Sequence, residues 1–145
     1  GEFPHLWIRP NEVRRIKEEV SIRSIPLVGD TLEAAKEALK EVGGEGPLFP
    51  QYNKPRGGNS ASAALMKHVR KVTVNPKHTV HSLRHNMKDW LRLAEVQSLD
   101  QNLILGHTLG GLGDRVYGGE TVKLRATTRA MEKAMVEKNR WLSRG

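Results

Sequence analysis

At 145 residues, with twenty-four Lys and Arg against sixteen Asp and Glu, the chain carries a net charge of +8 and is long enough for one domain with its own core. That excess favours a polyanionic partner: DNA, RNA or an acidic membrane face. The absence of cysteine excludes a disulfide frame and a thiolate metal site, and no apolar run approaches a membrane span or a signal peptide.

The chain opens on GEF, residues 1–3, which reads as a remnant of cloning and is set aside. PHLWIRP then reads as a strand already under way, so the native protein is expected to extend upstream. Alternation in HLWIR and SIRSIPLV predicts short strands between Leu6 and Leu27. NEVRRIKEEV between them is expected to be a hairpin connection with Lys17 near its tip. GDTLEAAKEALKEVGG is a helix with capping-box spacing at Asp30 and Glu33, an apolar face of Leu32, Ala35, Leu39 and Val42, and a stop at Gly43. Residues 44–59, rich in Gly and Pro, are loop.

A second helix over SASAALMKHVRKV places Ala61, Leu65, Val69 and Val72 on one side. A third, beginning close to HSLRHNMKDWLRLA, has Leu83, Met87, Trp90, Leu91 and Ala94 as its buried stripe. Ser98 and Gln101 suggest another capping box, opening a short helix that ends at Gly106. ETVKLRATTRAMEKAMVEKNRWL is a long final helix with Val122, Ala126, Ala130 and Ala134 at i,i+4 spacing. The expected class is α+β, mostly α, with a small antiparallel sheet near the N-terminus.

Two features carry chemistry. In HSLRH, residues 81–85, a helix would bring His81, Arg84 and His85 into one arc. Taken alone, the pentapeptide fits two surface histidines and a solvated arginine. A zinc site would want Glu after the first His, where Ser82 stands, and would set Arg84 beside the metal. A phosphate site uses every member: the Arg fork matches two non-bridging oxygens and His donates a further bond. The second feature is LILGHTLGGLGDRVYGG, residues 103–119, which holds Tyr117, one of only two tyrosines, in a glycine-rich run after His107. Glycines suit a segment that bends or moves. A tyrosine there could approach phosphorus in line, provided fixed cations neutralise the transition state.

HSLRH, LILGH and VYGG, in that order, resemble the catalytic domain of the tyrosine recombinase, or phage integrase, family over roughly Leu6 to Trp141. RRIKEEVSIRSIPLVG is similar to the family's β-hairpin, and PLFPQYNKPRGGNSASAALMKHVRK to the linker and helix of prophage integrases. The resemblance implies that residues 4–145 form the C-terminal part of such a domain. It makes Tyr117 the nucleophile, Arg84 and His107 the phosphate ligands, His81 an aid to proton transfer or phosphate binding, and Lys17 the general acid. His85 beside them is read as structural, a buttress for Arg84 rather than a substrate contact. The resemblance implies no metal and no cofactor, duplex DNA attachment sites as substrate, a tetramer on DNA, room for an accessory DNA-bending protein, and a place in the bacterial cytoplasm at the nucleoid.

The family also has an earlier arginine on a helix upstream of the hairpin, and none of Arg9, Arg14 or Arg15 sits in such a context, so this stretch is expected to be impaired on its own. Ser82 stands where Asp is frequent, and Asn86, where a small hydroxyl is usual, is expected on the inner side of its helix. Two other readings remain: a type IB topoisomerase, and a degenerate integrase remnant that only binds DNA.

Overall fold

The computed structural model of the chain describes residues 3–10, 22–107 and 117–144. Among these are two strands and five α-helices: β1 (His5–Ile8), β2 (Arg23–Pro26), α1 (Gly29–Glu41), α2 (Gly57–Val72), α3 (Val80–Leu93), α4 (Ser98–Leu105) and α5 (Glu120–Arg144). The class is mostly helical with a small antiparallel sheet, as the periodicities predict. β1 and β2 pair with His5 opposite Pro26 and Ile8 opposite Arg23. The pairing runs on past the strand end, where the Leu27 amide donates to the Pro4 carbonyl at 2.9 Å. The connection from 11 to 21, with Lys17, lies outside the described residues.

The sheet delivers the chain into the core. Pro26 is fully enclosed and Leu27 and Val28 are buried, and Val28 packs with Leu91, Val96, Ile104, Leu105, Ala130, Met131 and Ala134. These residues come from the segment just after β2, from α3 and the turn behind it, and from α4 and α5, which meet around the middle of α5. Ala130 and Ala134 are small enough for α5 to lie close against its neighbours, and Leu91 fills the centre at 0% exposure. Burial of one such leucine is worth about 1.5–3 kcal/mol.

The apolar stripes are only partly covered. On α3 and at its C-cap, Met87, Trp90 and Ala94 pack against the core, but Leu83 is exposed. On α2, Leu65 and Val72 are exposed, as are Leu39 of α1 and Val122 of α5. Periodicity identifies residues that share a face, whereas burial needs an element lying across it. Among the described residues α2 leans chiefly on α3 and on the 3-10 turn Pro50–Tyr52, so its stripe outruns its partners. Asn86, expected on an inner side, is exposed.

The helix starts also differ from expectation. α1 begins at Gly29 with Val28 as N-cap and no side-chain cap, so Asp30 sits inside the first turn, where its charge complements the helix dipole. α4 has Gln97 as N-cap, and the Gln101 carboxamide donates to the Val96 carbonyl at 2.7 Å instead of closing a box with Ser98. The reciprocal box forms one helix earlier: Thr79 caps α3, and its amide donates to Ser82 Oγ at 2.9 Å. Ser82 is thus the residue that fixes where α3, and with it His81 and Arg84, begins.

Candidate functional site

The site assembles where α4 ends. Gly106 adopts φ +75° and terminates the helix, a backbone state glycine reaches without steric cost. The Gly106 and His107 amides both donate to the Asn102 carbonyl, at 2.8 and 3.0 Å. The last two carbonyls in the helix, Ile104 and Leu105, take guanidinium donors from other elements. Arg23 Nε of β2 donates to the Ile104 carbonyl at 3.0 Å, and Arg84 Nη2 of α3 donates to the Leu105 carbonyl. Cations belong there, because a helix C-terminus exposes unpaired carbonyls and a partial negative charge.

Arg84 Nη2 also lies 3.0 Å from His107 Nε2. That contact is a hydrogen bond when Nε2 is unprotonated, with the ring proton on Nδ1. The electrostatics agree with a neutral ring. Desolvation, followed by the positive charges of Arg84, Lys88 and Arg23, holds His107 below the usual imidazole value. Burial, with Arg84 close by, also lowers Arg23. Among the described residues, every charge that acts on His107 is therefore positive. An exposed imidazole beside a half-buried guanidinium, inside a cationic field, is a receptive site for an oxyanion.

Tyr117 lies ten positions beyond His107 in sequence, and its phenol is otherwise engaged. Its hydroxyl donates to Asp100 Oδ1 at 2.5 Å and accepts from Gln97 Nε2 at 2.8 Å. Gln97 also donates to Asp100 Oδ2 at 3.1 Å, so the three side chains form a closed triangle at the start of α4. Desolvation, then the hydrogen bond and charge of Asp100, pushes Tyr117 up to about 12. Arg84 and His107 thus sit at the C-terminal end of α4, and the Tyr117 hydroxyl is bonded at its N-terminal end.

His81 is exposed and meets His85 edge to face, with ring centroids 5.1 Å apart at 82°. His85 therefore packs on His81, and among the described residues no bond joins it to Arg84. Lys17 lies outside the described residues. Among the described residues no group of three or more His, Asp or Glu could hold a metal ion, and no helix is long and apolar enough to cross a membrane.

The structure adds Arg23, Asp100, Gln97 and Lys88 to the residues chosen from sequence. Arg23 had a signal in its place within RSIPL, a charged residue in a strand leading into the core. Asp100 had none, being an ordinary acid in the first turn of a short helix. No protein-family model, curated protein or solved structure matches the chain.

Proposed function

We propose that this chain belongs to a tyrosine recombinase of the prophage-integrase kind, which cleaves and rejoins duplex DNA at specific sites. The observation that carries the reading is the 3.0 Å pairing of Arg84 with His107 in a field of positive charge. A non-bridging phosphate oxygen can replace His107 Nε2 as the partner of Arg84, leaving His107 to take up a proton and donate to a second oxygen. Tyr117 is the nucleophile in this scheme. Its proton passes to His81, its oxygen forms a bond to phosphorus, the bond from phosphorus to the 5′ oxygen breaks, and Lys17 protonates the departing oxygen. The link left behind is a 3′-phosphotyrosine, and attack on it by another 5′-hydroxyl restores the strand. The bond energy is held in the adduct, so rejoining needs no nucleotide. Tyr117 must leave Asp100 before it attacks, because a phenol held near 12 is a poor nucleophile.

That hold on Tyr117 is also what favours a second reading, a remnant that binds DNA and no longer cuts it. The test is covalent capture. The full-length native polypeptide is incubated with nicked duplexes cut from host DNA, denatured, and the attached DNA sequenced, with Tyr117→Phe as control. An adduct confined to one short site and lost in the Phe variant is the expected result. Adducts scattered over many sites would indicate a topoisomerase. No adduct, with affinity that falls steeply in salt, would establish the remnant.

A further inference from the structure

The Gly106–His107 turn is gripped from a second side by a residue that the scheme above leaves without a role. Arg23 is separated from Ile104 by 81 positions, yet its Nε donates to that carbonyl at 3.0 Å. Its guanidinium also lies against Gly106. A Cβ built on Gly106 would stand 2.7 Å from Arg23 Nη1 and 2.8 Å from Cζ. The planar group therefore occupies the space that any side chain at 106 would need. Arg84 takes the neighbouring Leu105 carbonyl from α3 and reaches on to His107. Two guanidiniums from different elements thus hold consecutive carbonyls, and one residue beyond them, past Gly106, stands the imidazole of the site.

We propose that Arg23 is a positioning residue for the phosphate-binding pair: bonded to the Ile104 carbonyl and seated on Gly106, it sets the turn that brings the His107 ring to Arg84. The inference rests on reading Arg84 and His107 as phosphate ligands. It requires arginine rather than any cation. Only a planar fork can donate from Nε and at the same time lie flat on a glycine, whereas a lysine ammonium is a point charge on a flexible stem. The positive charge of Arg23 adds to the attraction for an anion, but the carbonyl bond and the stacking decide where His107 sits. Placement of a ligand to within a fraction of an ångström is what such supporting contacts supply.

The test uses the 145-residue chain with inorganic phosphate as probe, followed by the side-chain nitrogen resonances of His107 in wild type, Arg23→Lys, Arg23→Gln and Arg84→Gln. Arg23→Lys keeps the charge and loses the fork. It is expected to shift the His107 resonances in the phosphate-free protein and to weaken phosphate binding on the order of tenfold, the scale of a lost supporting contact, with Arg23→Gln weaker still for its lost charge. Arg23→Lys binding phosphate like wild type would overturn the proposal, because charge alone would then suffice. So would unchanged His107 resonances in either Arg23 variant. Thermal melts accompany each protein, and Arg23→Lys decides the matter should Arg23→Gln lose its fold. If Arg84→Gln binds phosphate as wild type does, the phosphate reading itself fails, and the His107 resonances still report whether Arg23 holds the turn.

Discussion

The Tyr117 hydroxyl donates a 2.5 Å hydrogen bond to Asp100 Oδ1, and Asp100 is only 7% exposed. A phenol facing a buried carboxylate loses its proton with difficulty, since ionisation would set two negative charges against each other. The bond therefore keeps Tyr117 neutral and in place.

Asp100→Asn keeps the shape and removes the charge. Tyr117, pushed up to about 12 in the folded chain, should titrate nearer the ordinary tyrosine value of about 10. Ultraviolet difference titration at alkaline pH would read this directly, with Tyr52→Phe in both proteins so that Tyr117 is the remaining tyrosine. The same shift has a stability consequence. Because the folded-state value is raised, the contribution of protonated Tyr117 is complete below about pH 10 and is lost as pH climbs toward 12. Denaturant melts across that window should show a steeper alkaline decline in wild type than in Asp100→Asn.

At the other end of α4 the sign is reversed. His107 is held low, first by desolvation and then by Arg84, Lys88 and Arg23. Protonation is harder folded than unfolded, so the stabilising contribution is present above about pH 6.5 and is lost as pH falls through the lower folded value. Lys88→Gln removes one of the positive charges without touching the Arg84 bond, and should raise the His107 value. Arg84→Gln, which removes a larger contribution, should raise it further. A histidine titration by nuclear magnetic resonance orders the three proteins. Adding phosphate to wild type should raise His107 as well, with net proton uptake near neutral pH. No change on adding phosphate would mean that the anion binds elsewhere or not at all.

These two ends of α4 were unequally legible in the sequence. The Arg84–His107 end could be reached from local rules, because Gly106 stops a helix and HSLRH puts Arg84 on the one before it. The Tyr117–Asp100 end could not. Seventeen positions separate the two residues, and nothing in SLDQ distinguishes an acid that binds a tyrosine from one that complements a helix dipole. Arg23 and Ile104, 81 positions apart, meet only because β2 and α4 share the core. Helix existence followed from periodicity, while the true cap of α3 lay at Thr79, one turn ahead of the residues that drew attention. The exposed stripe of α2 shows the same limit from the packing side: an apolar face is visible in sequence, and its cover is not.

The core offers a direct contrast within one helix. Leu91 and Leu83 both belong to the apolar stripe of α3, but the first is 0% exposed and the second 61%. Leu91→Ala should cost about 2–5 kcal/mol, the transfer loss plus the cavity left between α3 and α5. Leu83→Ala should change stability by less than about 0.5 kcal/mol, as ordinary surface substitutions do. Equilibrium urea unfolding of both variants decides it. Similar losses in the two would mean that another surface covers Leu83 in solution.

Adjacent glycines at the start of α2 should respond in opposite directions to the same substitution. A Cβ on Gly57 would stand 1.8 Å from the Tyr52 carbonyl oxygen and 2.7 Å from its carbon. Both atoms are backbone, so no rotamer change can relieve the clash. The Gly57 amide is in turn bonded to the Lys54 carbonyl at 2.9 Å, which ties the helix start to the loop carrying Tyr52. Gly57→Ala must push these segments apart, at a cost of about 1–3 kcal/mol or more, as for overpacking elsewhere. Gly58 has no atom within 4 Å of the same position and no positive φ. Gly58→Ala therefore meets nothing, lowers the entropy of the unfolded chain and should stabilise by about 0.4–1 kcal/mol. Thermal melts of the two single variants should bracket wild type, with Gly57→Ala below and Gly58→Ala above. If Gly57→Ala melted with wild type, the loop at Tyr52 would have to stand away from α2, and the junction before the helix that leads to α3 would be looser than its bonds imply.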